Sequence, residues 1–131
     1  MKSSQQLRKI FKKYDVSAAY LFGSHVGGKT HAKSDVDIAV RYASQPNFSK
    51  MLAFANELSI FYKKSADVVN LNTATLQLQF RVYKASAILY AKNPKAEALA
   101  RAKATSLYHD YRYYFDRFTS FEINRLATKG L

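Results

Sequence analysis

The chain contains no cysteine, which rules out disulfides, thiolate zinc sites and cysteine nucleophiles. Long apolar runs are missing too. No stretch approaches the ~20 residues that span a bilayer. Met1 to Gln6 lacks the apolar core of a signal peptide, so a cytoplasmic location is the expectation. Acidic residues are scarce, 9 Asp and Glu against 21 Lys and Arg, for a net charge of +12. So basic a chain attracts polyanions, whether nucleic acid, nucleotides or an acidic protein partner. The basic residues are scattered and form no arm or tail, so charge alone does not choose among these. The remainder is ordinary for a globular protein, 48% apolar and 23% charged. Over 131 residues it predicts one domain, with a core over residues 1–92 and a C-terminal helix over residues 93–128.

Taken in order, Ser3 and Gln6 fit a capping box, and Leu7, Ile10, Phe11 and Tyr14 come after them at helical spacing, predicting a first helix over about Ser4 to Tyr14. Val16 to Phe22 is an apolar, buried strand. A polar loop comes next, with Gly27-Gly28 free to take positive φ, and a second strand runs from about Asp35 to Tyr42. After the Ser44-Asn47 turn a helix extends to about Lys63, with Phe48, Leu52, Ala55, Leu58, Phe61 and Tyr62 as its apolar face. Asp67 to Leu71 is a third strand, and Asn72 and Thr73 are candidate caps for the next element. Leu76 to Tyr83 alternates strictly, as a half-buried strand does, yet Leu76, Phe80 and Tyr83 also share one helical face. Ala87 to Tyr90 is a short strand. Asn93-Pro94 opens a long last helix to about Ala127, with Ala100, Ala104, Leu107, Tyr111, Tyr114, Phe118 and Phe121 along one stripe. The inner half of that stripe is expected to pack on the core. The outer half has more rings than a chain of this size covers, which marks a partner surface.

Residues two apart on a strand share a face, so Asp35 and Asp37 present paired carboxylates while Val36 and Ile38 face the other way. Two like charges so close are costly unless a cation sits between them, and hard oxygen ligands suit magnesium. Upstream, Gly23-Ser24 at a strand end supplies backbone N–H groups and a hydroxyl, a good place for phosphate. Asp67 is placed to come in from a neighbouring strand. Three carboxylates, magnesium and a phosphate cradle together suggest in-line displacement at phosphorus. Two histidines in the polar loop, His25 and His31, lack companion ligands for zinc, and His109 reads as a packing or interface residue.

Gly23-Ser24, ten intervening residues and then Asp35-x-Asp37 resembles the signature of the DNA polymerase beta-like nucleotidyltransferase superfamily. The short length, the Asp67 to Asn72 strand and the last helix with Tyr108-His109-Asp110-Tyr111 are similar to MNT-type antitoxins, the partners of HEPN-domain RNase toxins. The resemblance implies an α+β fold with α/β-like order, a small mixed sheet flanked by helices and a long C-terminal helix. It implies that Gly23 and Ser24 bind the triphosphate of ATP, that Asp35 and Asp37 coordinate magnesium, and that Asp67 completes the triad as ligand or general base. It implies AMP transfer to a tyrosine of the partner toxin. It also implies a helix over Thr73 to Lys84, which is preferred here over the alternation. Relatives often carry an Arg three residues after the motif Ser and an aromatic or Arg directly after it; here these are Gly27 and His25. Lys29, Lys33 and Arg41 are candidates to replace the missing charge. Two other functions fit the same residues: neutralisation by docking alone through the last helix, and nucleotidyl transfer to RNA.

Overall fold

The computed structural model describes residues 2–23 and 35–128. Among these residues, eight elements occur in order: α1 (Lys2–Lys13), β1 (Val16–Phe22), β2 (Val36–Tyr42), α2 (Phe48–Tyr62), β3 (Ala66–Asn70), α3 (Leu76–Ala85), β4 (Ala87–Ala91) and α4 (Pro94–Thr128). The strands form one mixed sheet in the order β3-β2-β1-β4. β1 runs antiparallel to β2 and β4, and β2 runs parallel to β3.

The period-2 patterning of the strands supplies two cores, one on each face of the sheet. Val36, Ile38 and Val40 of β2 point to one face, where Leu7 and Phe11 of α1 and Phe54 and Leu58 of α2 cover them. Ala39 points to the other, with Ala18 and Tyr20 of β1, and is covered by Val82 and Tyr83 of α3 and Ala104 of α4. Asp37, Ala39 and Arg41 alternate with that first set, so Asp37 belongs to the α3/α4 face, near the sheet's end rather than in its core.

Several local expectations are revised. α1 already runs through Ser3, so the Ser3/Gln6 pair does not cap its start, although its Leu7–Ile10–Phe11–Tyr14 stripe does pack inward. α2 is capped by Asn47, whose side chain accepts from the Lys50 N–H at 2.8 Å, and ends at Lys63 in the left-handed region with φ 58°. Its buried residues are Phe54 and Leu58, and Phe61 and Tyr62 pack against the same core as expected, while Phe48 and Leu52 of the expected face are exposed. Leu76 to Tyr83 is helical, capped by Thr75, which accepts from the Leu78 N–H at 3.2 Å. Asn72 does not cap it. Its side-chain amide pairs with the backbone of Tyr42, accepting from the N–H at 2.8 Å and donating to the carbonyl at 2.9 Å, and so ties the end of β3 to the end of β2. α4 starts as expected, with Asn93 accepting from the Ala96 N–H at 3.1 Å.

Of the expected stripe on α4, Ala104 is buried and Ala100 half-buried, but the packed line also runs through Glu97, Arg101 and Tyr108, while Leu107 and Tyr111 are exposed. Tyr108 meets Phe80 of α3 with ring centroids 4.1 Å apart, and the α3–α4 seam reaches this far. From Tyr111 to Phe118 every residue is exposed, among them Tyr114 at 70% and Phe118 at 63%. The side chain of Phe121 lies outside the described residues.

Candidate functional site

β1 ends at Phe22, which is paired across the antiparallel ladder with Asp37. Gly23 comes next with φ +81°, in the region glycine enters without steric cost. The turn has a second reason for glycine. A Cβ on Gly23 would overlap a carboxylate oxygen of Asp37 and stand 3.1 Å from its Cγ. The strand end and the carboxylate are in contact because nothing but hydrogen fills the space between them.

On the other side of β2, Asp37 is the register partner of Asp67 in the parallel pair with β3. Register partners on parallel strands project to the same face, with backbones ~4.8 Å apart. Thus Asp67 comes in from the adjacent strand as expected, exposed, while Asp37 is half-buried between it and Gly23. Asp35 lies two residues before Asp37, exposed, just ahead of β2, where the Val36 N–H donates to the Ser65 carbonyl at 2.8 Å and holds the two segments together. Val36 and Ile38 are buried on the opposite face. Ser24, His25, Gly27, Gly28, Lys29, His31 and Lys33 lie outside the described residues.

Arg41 is not near the phosphate end of this arrangement. It is four residues beyond Asp37 on β2, ~13 Å at 3.3 Å per residue. Its guanidinium is engaged with Glu97 and Tyr83. His109 packs its ring against Phe80 at 5.4 Å between centroids, in keeping with a packing role.

The donor set at Asp37 and Asp67 is hard, anionic and in register, which suits a small divalent cation that keeps several waters. Among the described residues no cluster of three or more acidic, His or Cys side chains stands close enough to enclose a metal ion by itself. Asp35, Asp37 and Asp67 are thus not gathered into such a cluster.

A glycine turn packed on a carboxylate thus stands beside a second carboxylate in register on a mixed sheet. The family model described as polymerase beta nucleotidyltransferase matches residues 5–95, from α1 to the start of α4, and the chain belongs to this family of nucleotidyltransferases. Solved structures with the same fold include a toxin–antitoxin complex with AMP-PNP, at 23% identity and TM-score 0.76, covering 92% of this chain and 98% of that one. Another is the tri-AMPylated HEPN toxin of Shewanella oneidensis in complex with an MNT antitoxin, at 21% identity and TM-score 0.71, covering 93% and 97%. Spectinomycin adenyltransferase of Enterococcus faecialis, with ATP and spectinomycin, is more distant, at 10% identity and TM-score 0.52, covering 70% of this chain and 56% of that one. No curated protein matches the chain at a significant level. The antitoxin-complex matches extend past residue 95, so the shared architecture includes much of α4 as well as the sheet.

Proposed function

We propose that this protein is a magnesium-dependent nucleotidyltransferase of the MNT antitoxin type. It transfers AMP from ATP to a tyrosine of a partner HEPN-type RNase toxin and thereby silences it. The observation that carries the reading is the register of Asp37 with Asp67 beside the Gly23 turn, within a domain of the polymerase beta family. AMP transfer and the toxin partner are supported by likeness to a complex whose toxin is AMPylated and to one containing AMP-PNP, while the tyrosine acceptor rests on the family resemblance of the sequence alone.

In this reading the backbone at Gly23, with the Ser24 hydroxyl, cradles the triphosphate, and Asp35, Asp37 and Asp67 would hold magnesium. Magnesium, when bound, polarises the α-phosphate and steadies the departing pyrophosphate. The acceptor tyrosine oxygen forms the new bond to the α-phosphorus, and the bond from that phosphorus to the bridging oxygen of pyrophosphate breaks. The tyrosine proton passes to a carboxylate, for which Asp67, exposed at the rim, is the best placed. Leu107, Tyr111, Tyr114, Phe115 and Phe118, exposed along α4, are the docking surface for the acceptor protein.

Incubation with α-labelled ATP, magnesium and the partner toxin tests this directly. Label is expected on a toxin tyrosine, and the Asp35→Ala, Asp37→Ala double variant is expected to transfer none. Equal labelling by that variant would sink the proposal. The exposed rings of α4 also favour a second reading, neutralisation by docking without chemistry. It predicts that the double variant still neutralises the toxin fully while truncation after Lys103 does not.

A further inference from the structure

Glu97, in the first turn of α4, is 6% exposed, the most deeply buried acidic side chain among the described residues. Two other elements bond it directly, and a third joins through Arg41. The Tyr20 hydroxyl of β1 donates to Oε1 at 2.5 Å. Arg41 of β2 donates through Nε to Oε2 at 3.3 Å, and its terminal nitrogen reaches Oε1 at 3.5 Å. The same terminal nitrogen donates to the hydroxyl of Tyr83 on α3. The rings of Tyr20 and Tyr83 meet edge-on at 5.4 Å, and Arg101, one turn along α4, lies 5.7 Å from the Tyr20 ring centroid.

Such a knot is an uneconomical way to hold a helix down, since apolar packing of similar volume is usually at least as stabilising as a buried ion pair. What charge-assisted hydrogen bonds add is direction, because each donor fixes an angle as well as a distance. Direction matters at the root of a long helix. Tyr114 lies 17 residues beyond Glu97, ~26 Å at 1.5 Å per residue, so a tilt of ~10° at the root displaces it by roughly 4 Å. Reacting atoms must approach to ~3–3.5 Å, and a misplacement of ~1 Å costs on the order of 100-fold in rate.

We propose that Tyr20, Arg41, Tyr83 and Glu97 act as a positioning joint. It fixes the direction of α4 relative to Asp37 and Asp67, so that a protein docked on the exposed rings of α4 presents its hydroxyl to the nucleotide. This rests on the reading of α4 as the acceptor-docking surface. The joint lies ~13 Å from Asp37 along β2. It acts through α4 and not on the nucleotide.

Because the chain has no cysteine, spin labels can be placed singly through introduced cysteines at Lys50 on α2 and Asp116 on α4. Pulsed electron resonance then reads the direction of α4 without any partner. The proposal expects Glu97→Gln to widen the distance distribution about two-fold, to raise the KM for the toxin about ten-fold, and to leave the KM for ATP within about two-fold. An unchanged distribution in folded Glu97→Gln overturns the joint. A widened distribution with unchanged toxin KM overturns its role in acceptor positioning. Failure of the parent reading is distinct, since the unmodified protein would then label no toxin at all. Should Glu97→Gln not fold, Tyr20→Phe and Tyr83→Phe, each lacking one hydroxyl, carry the same two readouts.

Discussion

Asp37 and Asp67 stand opposite one another on parallel strands ~4.8 Å apart. Two unit charges ~5 Å apart repel by about 1 kcal/mol in water, and more where protein displaces solvent. In the proposed reading a bound cation would offset such repulsion. Asp67→Asn is therefore expected to leave the metal-free melting temperature unchanged or slightly raised, to abolish its rise on adding magnesium with AMP-PNP, and to slow AMP transfer by about 100-fold or more. Differential scanning fluorimetry with and without magnesium checks the first two, and a labelled-ATP time course the third. Gly23→Ala would put a Cβ into the Asp37 carboxylate at a φ of +81°. A loss of at least about 1 kcal/mol in urea melts is expected, together with loss of nucleotide binding by calorimetry. The alternation of Asp35 and Asp37 with Val36 and Ile38 was legible because strand geometry leaves a period of two no freedom. The engagement of Arg41 was not. Whether an arginine faces phosphate or a buried glutamate depends on a residue 56 positions away, which no local pattern encodes.

At the scale of elements, the sequence period located the described helices and strands to within a few residues except α3, which the family resemblance supplied, but misjudged part of the faces that α2 and α4 bury. In α2 the exposed Phe48 and Leu52 lie off the buried Phe54–Leu58 line, because the sheet selects whichever side contacts Phe11 and Tyr42. In α4 the buried face carries Glu97 and Arg101, charged residues that a count of apolar positions assigns to solvent. In α3, alternation mimicked a strand, and the Thr75 cap with the Phe80–Tyr108 contact makes it a helix. The rings beyond Tyr108 contribute little to folding of the isolated chain. Tyr114→Ser with Phe118→Ser is expected to shift its stability by no more than about 0.5 kcal/mol per site in denaturant melts. The same pair is expected to weaken toxin binding at least ten-fold by titration calorimetry, as loss of central aromatic anchors does at interfaces.

At the scale of the whole molecule, a four-stranded sheet has two faces that serve different ends: α1 and α2 close an apolar core, and α3 and α4 cover a face that also carries the carboxylates and the Glu97 knot. Tyrosines are prominent in both layers. Burial pushes Tyr42 up to about 12, and burial with the Glu97 hydrogen bond raises Tyr20 as well; burial also raises Tyr83, against the opposing Arg41 charge. A raised tyrosine pKa favours the protonated form in the folded state, so these groups cost nothing below pH 10 and destabilise the fold as pH climbs from about 10 towards 12. For Tyr42 alone the two-unit rise corresponds to roughly 2–3 kcal/mol. Absorbance at 295 nm is expected to show exposed tyrosines titrating first and a cooperative step, coincident with loss of circular dichroism, as the buried ones ionise. Removing one partner of the knot by Glu97→Ala leaves Arg41 uncompensated and is expected to cost about 3–5 kcal/mol, read from urea melts. The central claim is that the paired carboxylates transfer AMP to a toxin tyrosine. Intact-mass spectrometry of the toxin, co-expressed with the unaltered chain or with Asp37→Asn, Asp67→Asn, tests it most directly. The account predicts adenylyl increments on the toxin with the first and none with the second. Unmodified toxin that is nevertheless neutralised by the unaltered chain would contradict it.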